Sequence, residues 1–209
     1  MRTAIVTGFM PFLDYCGNPT QDLAQEFEGR MVGDVRVRGL VLPCAYYRAF
    51  YSLLDHIKRD SPDIVIGTGL ATRIQKLRVE TTGTNEMNED YYDCDGKKCF
   101  GETAQPIIPG ANHAYRTNTD ARRVADAMAS IGVDAAVSDD AGRFICNSLL
   151  YLTAGAIQEQ RLQVKFAYIN TPWTHDYRRR VNLRPNKRTI PKEDLHAAVE
   201  KAIAAMGRA

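Results

Sequence analysis

Short apolar segments alternate with amphipathic segments along this chain, and the alternation limits its possible folds more than any other feature. Residues 35–42 and 64–67 are apolar and β-branched like strands, and residues 46–58 between them have apolar positions every three or four residues, like a helix. A first strand at residues 3–7 and a helix opened by Asn18 as N-cap extend the pattern. The sequence therefore predicts an α/β fold, namely a three-layer α/β/α sandwich around a twisted, mostly parallel or mixed sheet.

The remaining segments fit the same single domain, spanning residues 1–209. Helices are predicted at 119–131, capped by Thr119, and at 192–206, and strands at 74–82, 133–137 and 164–169. Residues 67–73 read as a glycine-containing loop. Two stretches break the pattern: an irregular excursion at residues 83–118, and a basic segment at 175–192 before the last helix.

Composition excludes several classes of function. The 209 residues carry a net charge of only +2, which favours neither nucleic acid nor a membrane surface as partner. Five scattered cysteines do not suggest a disulfide framework, and C-D-G-K-K-C, from Cys94 to Cys99, lacks the histidines or further cysteines of a zinc site. We therefore expect a reduced, cytoplasmic protein without a zinc site.

Residues 138–151, S-D-D-A-G-R-F-I-C-N-S-L-L-Y, join a strand to a helix and carry the candidate nucleophile. Cys146 falls in or just before the first helical turn, where free amides and the helix dipole favour a thiolate over a thiol. Such a thiolate is suited to nucleophilic catalysis. From this stretch alone, the interpretation of Cys146 as a small buried apolar residue is the favoured one, since most free cysteines are of that kind.

Several motifs resemble the pyroglutamyl peptidase I (pyrrolidone-carboxylate peptidase) family of cysteine exopeptidases. They occur in the family's order between residue 5 and about residue 173. The matching pieces are G-F-M-P-F with Asn18-Pro19, L-P-C-A-Y (42–46), P-D-I-V-I-G-T-G-L-A (62–71), R-V-E (78–80) with Asn85, P-I-I-P-G (106–110) and the stretch around Cys146. The resemblance implies a cysteine omega-peptidase that removes an N-terminal pyroglutamyl residue from a peptide, without a cofactor. It also implies a homo-oligomer, commonly a tetramer.

The resemblance also assigns roles to individual residues. Cys146 is implied as the nucleophile and Glu80 as the acidic member of a catalytic triad. Phe9 and Phe12 are implied to enclose the flat lactam ring, which two aromatic side chains suit well. Asn18 matches the motif's asparagine, and its side chain could bind substrate or simply cap the following helix.

The third member of the triad departs from the family pattern. The family has F-I-H-x-P at the end of a strand, and this chain has Tyr168-Ile169-Asn170-Thr171-Pro172. Asn170 stands in the histidine's place, and an amide cannot accept the proton of a thiol. His175 is the substitute base nearest in sequence, and His113 is a more distant candidate, whereas His56 and His196 read as surface residues.

Two other positions depart from the family. Leu70 replaces a polar glutamine, and Asp90 aligns with an arginine. Three interpretations follow: an active peptidase, a catalytically impaired homologue that binds a lactam or peptide N-terminus, and an anion or nucleic-acid binder that uses the basic segment 175–192. The neutral charge balance argues against the third. We expect the peptidase.

Overall fold

The computed structural model describes residues 1–87, 92–97, 104–184 and 187–207, and it confirms the predicted α/β fold. The strands are β1 (Arg2–Phe9), β2 (Met31–Val32), β3 (Val35–Leu42), β4 (Ile64–Leu70), β5 (Leu77–Glu80), β6 (Thr82–Thr84), β7 (Ala114–Arg116), β8 (Ala135–Ser138) and β9 (Lys165–Thr171). The helices are α1 (Pro19–Phe27), α2 (Arg48–Asp60), α3 (Ala121–Ala129), α4 (Ile145–Glu159), α5 (Tyr177–Arg180) and α6 (Lys192–Gly207).

Seven strands form one sheet in the order β2-β3-β1-β4-β9-β5-β8. The four central strands β3, β1, β4 and β9 are parallel, whereas β5 runs antiparallel to β9 and parallel to β8. The sheet is therefore mixed. Strands β6 and β7 pair antiparallel in a separate small sheet.

Two apolar clusters bury the faces of the sheet. One contains Leu53 of α2 and Leu149 of α4, packed against Phe166 of β9. The other contains residues of α1, α3 and α6 on the opposite side of the strands, among them Leu23, Val124 and Val199. Each strand face is thus covered by helices, which explains why the central strands read as continuous apolar runs.

Most of the predicted elements are present, and the differences have physical causes. Residues 67–70, predicted as a loop, belong to strand β4, where all seven residues are buried. Asp120, rather than Thr119, caps α3 by accepting a hydrogen bond from the Arg123 amide, while the Thr119 hydroxyl donates to the Phe166 carbonyl. Helix α2 begins at Arg48, two residues later than predicted, and the Tyr46 amide instead donates to Asp93.

The irregular excursion packs onto the domain through polar side chains. The amide of Asn85 donates to the Ile108 carbonyl and its oxygen accepts from the Ile108 amide. Asn147 of α4 bonds the backbone of Thr84 and Glu86. These contacts join the small β6–β7 sheet and the described part of the excursion to α4.

No helix in the described part of the chain has the length and apolarity needed to cross a lipid bilayer.

Candidate active site

A cavity of about 280 Å³ lies where β1, β4 and β9 end and α4 begins. Open parallel sheets place their ligand sites at this edge. Residues that the sequence marked as functional line it together: Phe9, Phe12, Asn18, Cys146 and Asn170. A second, larger cavity of about 690 Å³ lies elsewhere, lined by Arg2, Asp63, Arg161 and Lys165 among others. It contains none of the predicted site residues.

Cys146 is the second residue of α4, and its side chain is half-buried. Its own backbone N–H lowers the pKa of the thiol, as expected at a helix start. Burial acts in the opposite direction, and the negative charge of Glu80 adds to it, so the pKa is raised to about 11. The expectation that the helix start alone favours the thiolate is therefore incomplete, because desolvation of the sulfur outweighs it.

Glu80 and Asn170 are joined inside the protein. Nδ2 of Asn170 donates a hydrogen bond of 2.9 Å to Oε1 of Glu80, and the two residues are 3% and 0% exposed, respectively. Burial raises the pKa of the Glu80 carboxyl, against the lowering effects of Ser138, Asn170 and the charge of Arg78. Although Ser138 is near enough to lower that pKa, Oε2 of Glu80 has no hydrogen bond of ordinary geometry within the described residues.

The strand register explains how these side chains meet. In the antiparallel β5–β9 pair, Glu80 lies opposite Tyr168 and Arg78 lies opposite Asn170. Since alternate residues of a strand share one face, all four side chains project from the same side of the sheet. Arg78 and Asn170 also line the cavity, which places that face beneath Cys146.

Two glycines of β4 leave room for this arrangement. A methyl group on Gly69 would lie 2.6 Å from Sγ of Cys146, 2.8 Å from the Tyr168 hydroxyl and 3.1 Å from Oδ1 of Asn170. A methyl group on Gly67 would lie 2.4 Å from the Tyr168 ring. Sulfur, hydroxyl and amide oxygen therefore converge on one small region above Gly69.

Phe9, Phe12 and Asn18 also line the cavity. Phe9 is buried in the core, whereas Phe12 is half-buried and its ring centroid lies 6.5 Å from that of Phe144. Asn18 caps α1 by accepting from the Thr20 amide, and its Nδ2 donates to the Met10 carbonyl. The capping role that the sequence left open is thus present, and both polar ends of the side chain are used in holding the loop that carries Phe12.

None of the four histidines, all of which lie in the described ranges, lines the cavity. His175 is exposed, and its Nδ1 lies 2.7 Å from the Thr189 hydroxyl. His113 is exposed, His56 pairs with Asp60, and His196 lies near Glu26. The fold therefore does not bring the predicted substitute base, His175, to Cys146.

The basic segment is tied to the domain. Nζ of Lys187 donates to the Thr72 carbonyl, Arg180 pairs with Asp22, and Lys192 pairs with Glu26. The first contact joins the segment to a residue of the cavity wall, and the other two join it to helix α1.

Other predicted positions have varied outcomes. Leu70 lines the cavity, and Cys94 is an exposed free thiol. Asp90 and Cys99 lie outside the described residues. Within the described ranges, no group of three or more histidine, cysteine or acidic residues is placed to hold a metal ion.

No sequence pattern marks Tyr168 as functional, and Arg78 stands out only as the first residue of the R-V-E motif. Tyr168 reads as an ordinary apolar strand residue, and only the pairing of β9 with β5 and β4 places its hydroxyl beside Cys146. The glycines at 67 and 69 were a usable signal, because glycine within a strand often marks a close approach of another group.

Comparison with known proteins gives a consistent result. The family model described as "Pyroglutamyl peptidase" matches residues 2–208. The chain is 30% identical over 192 residues to the pyrrolidone-carboxylate peptidase of Halalkalibacterium halodurans, covering 91% of this chain and 90% of that protein. It is 34% identical over 149 residues to that of Pyrococcus furiosus, covering 71% and 70%.

A solved structure has the same fold. The pyrrolidone carboxyl peptidase from Thermococcus litoralis superimposes with a TM-score of 0.89 at 26% sequence identity, and the match covers 99% of this chain and 93% of that one.

Proposed function

This chain belongs to the pyroglutamyl peptidase family, and we propose that it removes an N-terminal pyroglutamyl residue from peptides, with Cys146 as nucleophile. The observation that carries the proposal is the placement of the Cys146 sulfur in one cavity with Phe9 and Phe12. A flat, uncharged lactam ring fits between aromatic side chains, and its amide carbonyl would then face the sulfur.

The reaction follows from this placement. The Cys146 thiol loses its proton, and the thiolate attacks the carbonyl carbon that joins pyroglutamate to the next residue. The C–N bond breaks, the amine leaves with a proton from water, and a thioester remains. Water then attacks the thioester, which releases 5-oxoproline and restores the thiol.

Backbone amides supply the stabilisation of the oxyanion. The first intrahelical hydrogen bond of α4 runs from the Ser148 amide to the Phe144 carbonyl. The amides of residues 145–147 therefore have no partner within the helix. Donors fixed at a helix start, next to the nucleophile, stabilise the negative charge that develops on the carbonyl oxygen.

We assign Asn170 a positioning role instead of that of a base. Its amide holds Oε1 of Glu80, but it cannot accept the thiol proton. The thiol proton passes to solvent, and the helix start supports the thiolate. Because the pKa of Cys146 is about 11, turnover is expected to be slow at neutral pH and faster in alkaline solution.

Hydrolysis of a fluorogenic pyroglutamyl amide tests the proposal. We expect turnover by the native chain at pH 9 and loss of it in Cys146→Ala, with both proteins equally folded by circular dichroism. His175→Ala should retain activity, because its ring lies outside the cavity. Activity that survives Cys146→Ala would exclude the mechanism. A native chain that binds 5-oxoproline without turnover would indicate the impaired homologue instead.

We also propose that the protein acts in the cytoplasm as a homo-oligomer, on peptides or small lactams. The free thiols of Cys16, Cys44, Cys94 and Cys146 support a reducing compartment. The oligomer is supported by family membership. Sedimentation equilibrium gives its mass directly, and a monomer of 23.4 kDa across the accessible concentrations would contradict it.

A further inference from the structure

The Tyr168 side chain is buried beside the nucleophile without an ordinary partner. It is 0% exposed, and its hydroxyl has no hydrogen bond of regular geometry within the described residues. Burying a hydroxyl in this way costs free energy unless it interacts with a specific group. Its position therefore suggests that it serves the site.

The nearest polar groups around that hydroxyl are few. The Tyr168 oxygen, Sγ of Cys146 and Oδ1 of Asn170 would all lie within about 3 Å of a methyl group on Gly69. The ring is held there, because Gly67 and Gly69 of the adjacent strand leave space for it and for the sulfur, respectively. A rigid ring with a rotatable hydroxyl proton can direct that proton to the sulfur without moving the backbone.

We propose that the Tyr168 hydroxyl donates a hydrogen bond to the Cys146 sulfur when the thiol ionises, which makes Tyr168 a further catalytic residue. A thiolate is a stronger acceptor than a thiol, so the bond forms chiefly in the reactive state. Tyr168 thus supplies part of the stabilisation that no histidine provides in this cavity. The proposal deepens the proposed function and rests on Cys146 as nucleophile.

The charges around the sulfur agree with this assignment. The nearby Tyr168 hydroxyl acts to lower the pKa of the Cys146 thiol, whereas burial of the sulfur and the charge of Glu80 of β5 raise it. The other titratable groups that line the cavity are Tyr15 after β1, Cys44 before α2, Arg73 before β5, Arg78 of β5, and Asp140 and Arg143 in the loop before α4. Cys44 and Tyr15 also carry donor hydrogens, but a thiol donates only weakly, and neither is among the groups that lie closest to the space above Gly69 with the sulfur. The Tyr168 hydroxyl lies there, and it keeps its proton at neutral and mildly alkaline pH because burial raises its pKa well above its usual value.

The competing arrangement is a bond from the Tyr168 hydroxyl to Oδ1 of Asn170, which also lacks an ordinary partner within the described residues. In that arrangement Tyr168 has a structural role and does not act on the sulfur. The two arrangements predict different reactivity for Cys146.

Alkylation of the full chain by iodoacetamide separates them. The rate of modification of Cys146, followed by mass spectrometry of its peptide, is measured from pH 7 to pH 10 in the native chain and Tyr168→Phe. We expect the variant's profile to move to higher pH, with a rate at pH 8 about three to ten times lower, because a higher thiol pKa reduces the thiolate fraction more than it raises nucleophilicity. Phenylalanine keeps the ring packed against Gly67 and Gly69.

Tyr151→Phe is the matched control. Tyr151 is also buried, but its hydroxyl donates to the Asn112 carbonyl, away from the sulfur. It should leave the profile unchanged. An unchanged or downward-shifted profile in Tyr168→Phe, with folding shown by thermal unfolding, overturns the proposal. Alkylation needs no turnover, so this test does not depend on peptidase activity. If the native chain fails to hydrolyse pyroglutamyl amides but Tyr168→Phe still shifts the alkylation profile, the proposed function is wrong and the role of Tyr168 stands.

Discussion

Asn170 and Glu80 are ninety positions apart in sequence, yet Nδ2 of Asn170 donates a hydrogen bond of 2.9 Å to Oε1 of Glu80 in the interior of the domain. The contact holds a buried carboxylate beside a cysteine whose thiol is hard to ionise. It orients the carboxylate without accepting a proton. The site thus has an acid and a nucleophile in place, with an amide bonded to the acid.

Replacing Asn170 by histidine is expected to increase activity. An imidazole at this position could hydrogen-bond Glu80 through one nitrogen and accept the Cys146 proton with the other. General-base catalysis contributes about 10²–10⁴-fold, and we expect at least the lower figure in kcat/KM at pH 7. The measurement is hydrolysis of a pyroglutamyl amide by the native chain and Asn170→His. Asn170→Ala is the control, which removes the amide and should give no gain. A histidine variant no faster than the native chain would contradict the expectation.

The native enzyme's rate is expected to rise across the alkaline range. Because the pKa of Cys146 is about 11, the thiolate fraction increases about tenfold for each pH unit below that value. Measured at constant ionic strength, kcat/KM should therefore increase about 100-fold from pH 7 to pH 9, and Asn170→His should flatten the profile. A native profile that levels off below pH 8 would show that another group activates the thiol.

Glu80 is expected to lower the stability of the fold as pH rises. Burial raises the pKa of its carboxyl in the folded protein above the unfolded value of about 4.5. Folding therefore favours the protonated carboxyl. The contribution of Glu80 to the free energy of unfolding is complete below the unfolded pKa and is lost as pH rises through the folded pKa. Glu80→Gln, a neutral variant of the same shape, removes the effect.

The free energy of unfolding of the two proteins, measured with urea between pH 4 and pH 8, tests this. The stability of Glu80→Gln relative to the native chain should increase with pH. Glu86→Gln is the control, since Glu86 pairs with Arg143 at the surface. If the difference in free energy of unfolding between the two proteins stays constant with pH, the pKa of Glu80 is the same in the folded and unfolded states and the expectation is wrong.

Adding a methyl group at Gly69 is expected to displace the Cys146 sulfur and so lower activity. The new carbon would lie 2.6 Å from Sγ of Cys146, too close for any stable contact, so the sulfur and its neighbours must move. Such overpacking typically costs about 1–3 kcal/mol, and we expect the loss of activity in Gly69→Ala to exceed tenfold. Gly155→Ala makes a similarly close contact, 2.8 Å from the Tyr115 ring, but outside the cavity. Equal losses of activity in both variants would argue against a specific role for Gly69.

Substitutions of Asn18 are expected to separate its effect on the stability of the fold from its effect on substrate binding. Asn18→Ala removes the cap of α1, at a cost of about 1 kcal/mol, and the brace to the Met10 carbonyl. Asn18→Ser keeps a neutral oxygen for the cap but lacks the amide that donates to Met10. We expect both variants to raise KM, because the loop carrying Phe12 loosens, and the alanine variant to lower the thermal midpoint more than the serine variant does. An unchanged KM in both would show that the brace does not position the ring subsite.

The sequence alone specified most of the secondary structure. Strand β3 has the predicted bounds, α1 begins directly after Asn18, and α6 begins at Lys192 as expected. These features depend on local patterns: the two-residue and 3.6-residue apolar periods, a capping side chain and proline positions. The place of Cys146 at the start of α4 followed from the same kind of local pattern.

What the tertiary structure decided concerns the neighbours of that cysteine. The sequence could not show that burial raises the pKa of the thiol, that Asn170 bonds Glu80, or that Tyr168 shares the space above Gly69 with the sulfur. The Asn170–Glu80 bond depends on β5 entering the sheet antiparallel beside β9. The space shared by Tyr168 and the sulfur depends on the parallel pairing of β9 with the glycines of β4. Local periodicity records which face of an element is apolar, but the pairing of distant strands sets which polar groups meet on it, and that pairing sets the chemistry of the site.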